Sequence, residues 1–278
     1  MLPDRHRKRT ILLHYHLFKN GGTSIEKLLR DSFGKAWASW DKEQPGAKIS
    51  GAEMQAWIEQ NKKICAISSH QIVPPVPQGD FHVIPIVFLR DPLLRVRSSY
   101  SFEWQKQLGL DEPKGSLQAY IEEKFKQKNS SVIANFQVSR LSNDHYDEVR
   151  QKLDRHDTTH RLSSAMRFID QLPFIGLVER FEDSMGLIQL ATRQHFPKLK
   201  IREYRENVTQ AANQPPEQRI DQLRRDIGNE LFDELCLRNR LDLQLYSYAL
   251  GRFNTMCETR LSPDSARQSD SDQSLIDA

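Results

Sequence analysis

The stretch ILLHYHLFKNGGTSIEKLL, Ile11 to Leu29, passes from an apolar run through a Lys-Asn-Gly-Gly turn into a segment with helical spacing. Ile11 to Leu17 predicts a strand, and Thr23 or Ser24 can cap a helix that aligns Ile25, Leu28 and Leu29 on one face. A strand, a glycine-rich turn and a helix start together make an anion site. The glycines let backbone N–H groups approach, and the helix N-terminus carries partial positive charge. Lys19 adds a full charge, and Thr23 and Ser24 add hydroxyl donors. The lysine precedes the glycines, whereas the ATP-binding loop G-x-x-x-x-G-K-[ST] places it after them. This order argues against an ordinary ATP site while keeping the chemistry of a phosphate cradle.

Further strands are expected at Ile64 to Ser68, Val83 to Leu89 and Phe174 to Val178, each followed by a helical pattern. Alternation of this kind predicts an α/β fold, a three-layer P-loop-like arrangement with a central parallel sheet flanked by helices. Pro85 counts against the third strand, because proline cannot donate to a ladder and favours edges or bulges. Helices are expected at Ala52 to Lys62, Leu93 to Gln107, Ser116 to Lys126, Ser184 to His195 and Leu241 to Phe253. The end of the chain, rich in Ser and Asp and without aromatics, reads as disordered over 262–278, leaving 1–261 as one domain.

A second segment, VIPIVFLRDPLLRVRSSYSF from Val83 to Phe102, carries the same theme. Arg90 follows an apolar strand, Pro92 suits the first turn of a helix, and Ser98 lies two turns further on. Residues at the carboxyl end of a parallel strand face the crevice where open α/β sheets bind ligands. An arginine there can grip a phosphate with two parallel bonds.

Composition narrows the possibilities. The 278 residues have a net charge of +3, too small to imply nucleic acid binding by a global field. No apolar run reaches the ~20 residues needed to span a bilayer. Cys65, Cys236 and Cys257 are far apart, without a C-x-x-C pair, and read as reduced thiols.

Together, HLFKNGGTS and LRDPLLRVRS resemble the 5′-phosphosulfate loop and 3′-phosphate motif of sulfotransferases that use 3′-phosphoadenosine 5′-phosphosulfate (PAPS). The resemblance is to the carbohydrate group of the family 2 type, which includes heparan sulfate 2-O-sulfotransferases and bacterial relatives. The first family motif is similar to H-x-P-K-T-G-G-T-S; Phe18 stands in place of the proline and Asn20 in place of the threonine. The second, similar to L-R-D-P-x-x-R-x-x-S, fits at every fixed position. NFQVSRL at Asn135 to Leu141, FIGLVERFEDSM at Phe174 to Met185 and LDLQLYSYALGRF at Leu241 to Phe253 extend the likeness.

The resemblance implies sulfuryl transfer from PAPS to a hydroxyl of a glycan or small carbohydrate. It implies that Lys19, Asn20, Gly21, Gly22, Thr23 and Ser24 hold the 5′-phosphosulfate and that Arg90 and Ser98 hold the 3′-phosphate. No metal is required by this scheme. His70, after the second expected strand, is the favoured general base, since an imidazole can accept a hydroxyl proton near neutrality. His16 and Glu179 are the other candidates. Asn135, Gln137 and Arg140 are expected acceptor contacts, and Trp37, Trp40 and Trp104 serve either as stacking platforms or as packing. With no membrane anchor expected, the chain reads as a cytoplasmic bacterial enzyme. A divergent P-loop kinase or nucleotide hydrolase, and a non-catalytic binding relative, remain the alternatives.

Overall fold

A computed structural model describes residues 8–44, 46–104, 115–127, 130–142, 159–201 and 214–261. The expected tail lies outside them. Five strands, β1 (Arg9–Tyr15), β2 (Trp37–Ser39), β3 (Ala66–Ser69), β4 (Phe81–Leu89) and β5 (Gly176–Leu177), form one sheet in the order β2-β3-β1-β4-β5. Every pairing is parallel. Helices flank the sheet, giving the expected three-layer α/β fold.

The strands form for the reason their composition suggests. Ile11, Leu12, Leu13, Ile86, Val87 and Leu89 are all fully buried, as a parallel sheet covered on both faces requires. Pro85 lies within β4 opposite Leu13, and β4 is an interior strand rather than an edge. Pairing with β5 begins only at Phe88, so at the proline the strand has its described neighbour, β1, on one side alone. β2 is a three-residue strand, WAS, too short to carry an alternation pattern, and the sequence gives no sign of it.

Chain order fixes where the crevice opens. The helix after β1, α1 (Gly22–Phe33), leads towards β2, whereas β4 leads through helices to β5 on the opposite side. The connections diverge between the ends of β1 and β4, the position where such sheets accept ligands. After β4 comes α3 (Pro92–Phe102), capped by the Asp91 carboxylate, which accepts from Leu93 N at 2.9 Å and Leu94 N at 3.0 Å. Between β2 and β3 lies α2 (Gly51–Gln60), opened by a reciprocal capping box between Ser50 and Glu53.

Next come α4 (Leu117–Lys126), α5 (Phe136–Leu141) and α6 (Thr159–Asp170), then α7 (Phe181–Thr192) after β5. The chain closes with α8 (Pro216–Ile227), α9 (Asn229–Arg238) and α10 (Arg240–Arg260). Helices α3, α4, α8 and α9 share a second apolar cluster containing Val96, Ile121, Leu223 and Leu235. It packs against α3 and is separate from the cluster that covers the sheet.

The C-terminal helix reaches back towards the site. Asp242 on α10 is buried and accepts from Gln137 N and Val138 N at 2.9 and 2.8 Å, capping α5 from outside. Asn135 Oδ1 in turn accepts from Leu241 N and Asp242 N, at 3.0 and 3.2 Å, at the start of α10. The two helix starts cap one another, which satisfies backbone donors that would otherwise be left open.

Candidate active site

Each of the five parallel strands delivers an ionisable side chain just past its carboxyl end: Asp41 after β2, His70 after β3, Lys19 after β1, Arg90 after β4 and Glu179 after β5. The strand order sets them out as carboxylate, imidazole, ammonium, guanidinium and carboxylate.

At the centre, the turn after β1 is held open by two left-handed residues, Lys19 at φ 63° and Gly21 at φ 73°. Gly21 precedes α1, whose N-terminus has no side-chain cap. Its leading N–H groups are therefore available to an anion, apart from Ser24 N, which bonds back to Gly21 O at 3.2 Å. Lys19 Nζ sits 4.5 Å from the ring centre of Phe102 on α3, and burial together with Arg90 lowers its pKa. Phe18, which replaces the expected proline, packs edge-on against the same Phe102 ring at 5.3 Å.

Asn20 departs from expectation. Its side chain is buried beneath the loop, donating to Phe88 O at 2.8 Å and to Gln137 Oε1 at 2.7 Å, and its N–H bonds Leu17 O. It braces the cradle from behind.

On the β4 side, Arg90 is mostly buried. One guanidinium nitrogen donates to Lys19 O at 3.1 Å, and Nε lies 3.8 Å from Glu179 Oε1 without a hydrogen bond. Burial depresses the Arg90 pKa and raises that of Glu179, each effect partly offset by the other's charge. Tyr246 of α10 donates to Glu179 Oε2 at 2.9 Å. Glu179 thus lies between Arg90 and Tyr246. Ser98 is half-buried two turns into α3. Arg219 of α8, which no motif marks, is near enough for its charge to act on Arg90 and Asp91. Arg97 instead pairs with Asp226 at 2.8 Å.

On the β3 side, three imidazoles form a column. His14 and His16 stack at 5.0 Å between centres, and His16 and His70 at 4.0 Å. His16 lies directly against Gly22: a Cβ there would fall 1.9 Å from its Cδ2. This contact, rather than backbone conformation, demands glycine at position 22. Burial holds the His14 pKa well below its usual value; it lowers His16 too, although a 3.1 Å bond to Glu26 opposes the shift.

His70 is half-exposed, and its Nδ1 lies 2.8 Å from Asp41 Oδ2 while its N–H donates to Asp41 Oδ1 at 2.9 Å. Burial pulls the Asp41 carboxyl upward, but the bonds from His70 and Ser69 outweigh it and hold the pKa low. With Asp41 accepting from Nδ1–H, Nε2 of His70 carries the lone pair. The sequence offers no mark for Asp41, because β2 itself is invisible there.

Gln137 and Asn135, expected to meet an acceptor, have their side chains bonded within the protein. Gln137 is fully buried, and Asn135 Oδ1 caps α10. Arg140, the third expected acceptor contact, donates to the His70 carbonyl on the β3 side. Trp37 bonds Ser68 Oγ, and Trp40 stacks on Trp57 at 5.3 Å; both are partly buried against the core. Among the described residues His16, Glu26 and His70 bring three ligating atoms within 4.8 Å. Their rings lie only 28° from parallel, so the nitrogen lone pairs point side by side rather than at one centre.

An uncapped helix start, a lysine and an arginine around a switch-point crevice, with a carboxylate-bound histidine alongside, define a protein built for group transfer from an anionic donor. The chain matches the sulfotransferase family over residues 6–249, and it belongs to that family. It is also 28% identical over 249 residues to an uncharacterized protein of Archaeoglobus fulgidus, covering 86% of this chain and 95% of the relative. No helix among the described residues is long and apolar enough to cross a membrane.

Proposed function

We propose that the protein moves a sulfuryl group from PAPS to a hydroxyl of a carbohydrate acceptor. The observation that carries this reading is the column Gly22, His16, His70. It sets the Asp41-bound imidazole one stacked ring away from the start of the phosphate-binding helix.

The uncapped N–H groups of Gly22 and Thr23, the hydroxyls of Thr23 and Ser24, and Lys19 would neutralise the 5′-phosphate as it leaves. Arg90, whose Nε has no hydrogen-bond partner among the described residues, and Ser98 would hold the 3′-phosphate. The acceptor oxygen attacks sulfur, its proton passes to Nε2 of His70, and the bond from sulfur to the phosphate oxygen breaks with its electron pair on that oxygen. The products are the sulfate ester and 3′-phosphoadenosine 5′-phosphate (PAP). Asp41 fixes the tautomer and stabilises the imidazolium as it forms. Arg140 would orient the acceptor, and positive charge there suits an acidic sugar.

Thermal unfolding with nucleotides tests the donor. PAP at 100 times its dissociation constant should add about 2.7 kcal/mol of stability, and ATP with magnesium much less. Labelled PAPS with a panel of carbohydrates tests the transfer. Equal stabilisation by ATP, with no transferred label, would point to a kinase or hydrolase and overturn the reading; PAP binding without transfer to any acceptor would indicate a non-catalytic relative.

A further inference from the structure

Two loops must grip one nucleotide, and a single buried amide lies between them. Gln137 Oε1 accepts from Asn20 Nδ2 at 2.7 Å and from Arg90 N at 3.0 Å, while its Nε2 donates to Arg90 O at 2.9 Å. Asn20 Nδ2 also donates to Phe88 O, at the end of β4. These partners fix both amide orientations. Reversing Asn20 would set its oxygen against two acceptors, and reversing Gln137 would leave two N–H groups facing an NH₂.

The amide's own footing is firm. Gln137 N is held by Asp242, and the reciprocal caps between α5 and α10 hold the helix start. The loop it touches has no comparable footing. Lys19 stands in a left-handed conformation that a residue with a side chain rarely adopts, a state that persists only where its surroundings enforce it. The Lys19 carbonyl is bonded by the Arg90 guanidinium, so a shift of either loop carries the other.

We propose that Gln137, acting with Asn20, is a positioning residue that sets the separation between the Lys19 loop and Arg90, so that the two phosphates of one nucleotide are bound together. The proposal rests on the bisphosphate reading above. Binding both phosphates at once depends on the two subsites keeping a fixed distance, because the second contact is intramolecular and its strength falls when the geometry drifts. The link should therefore matter for a ligand that spans the loops and little for one that occupies a single loop.

Titration calorimetry with PAP, adenosine 5′-monophosphate and adenosine 3′-monophosphate reads this directly in Gln137→Met, which keeps the volume and removes the bonds, and in Asn20→Ala. PAP affinity should fall about 10-fold in each, and by no more in the double variant, since both break one link. Either monophosphate should change less than about 2-fold. Amide exchange should quicken at residues 17–24 and at Arg90 while β1 stays protected. Equal weakening of all three nucleotides, or no change for PAP, overturns the proposal, as does unaltered exchange at 17–24. If the unaltered protein binds PAP no better than the monophosphates, the donor assignment fails. Exchange in Asn20→Ala then decides on the clamp, and that milder variant also decides if Gln137→Met does not fold.

Discussion

On the β4 side of the central strand the charged groups are buried and tied to one another, whereas on the β3 side they stack face to face and end in a half-exposed ring. Arg90, Glu179, Tyr246 and Gln137 form a bonded cluster reached by the C-terminal helix. His14, His16 and His70 touch through ring faces, and only the outermost is open. A rigid grip suits a donor whose two phosphates have one spacing. An open imidazole suits an acceptor that must enter, give up a proton and leave.

The strongest test of this division is His70→Ala, which should lower kcat with labelled PAPS by about 10²–10⁴-fold and leave PAP affinity unchanged. Arg90→Ala should do the opposite. It removes a charged grip worth about 1.5–3 kcal/mol, so PAP affinity should fall about 10- to 150-fold by calorimetry. A loss of PAP affinity in the histidine variant would erase the distinction between the two sides.

Gly22→Ala probes their contact. The added methyl must displace His16, and such overpacking costs about 1–3 kcal/mol, visible as a lower Tm. If His16 moves, His70 loses its stacking partner, and kcat should fall further than PAP affinity does.

The smallest effect is a pH dependence of stability. His14 and His16 titrate below their usual range when folded, so the unfolded chain takes up protons first as pH falls. Their contribution is complete above about pH 6.5 and lost below it, at up to about 1.4 kcal/mol per pH unit for one fully shifted group. His14→Asn should flatten the fall in Tm between about pH 6.5 and 5. An unchanged slope would show that the inner ring is not the group being protonated.

The two sides also differ in how far they could be read from sequence. The glycine turn and the β4 side are legible because their signals are local: KNGGTS and LRDP each put charge, turn and helix start within a few residues. Arg90 reaches the Lys19 carbonyl because adjacent parallel strands deliver both residues. The acceptor side is assembled from distant pieces. Asp41 reaches His70 across 29 residues, from a strand too short to leave a pattern. The internal bonds of Asn135 and Gln137 are not legible, because a polar side chain near a site looks the same in sequence whether it faces a ligand or an internal donor. Their partners come from distant elements, Asp242 and Leu241 from α10 and Arg90 from the end of β4.

That dependence on α10 has a consequence for biosynthesis. Asn20 and Gln137 are 117 residues apart, and Gln137 and Asp242 a further 105. A growing chain can complete the glycine turn and its helix early, yet the bonds that hold Gln137 at the start of α5 require α10. Such long-range closures come late in folding. A product stalled short of α10 would carry the glycine turn and α1 but lack Asp242 and Leu241, the partners that hold the start of α5.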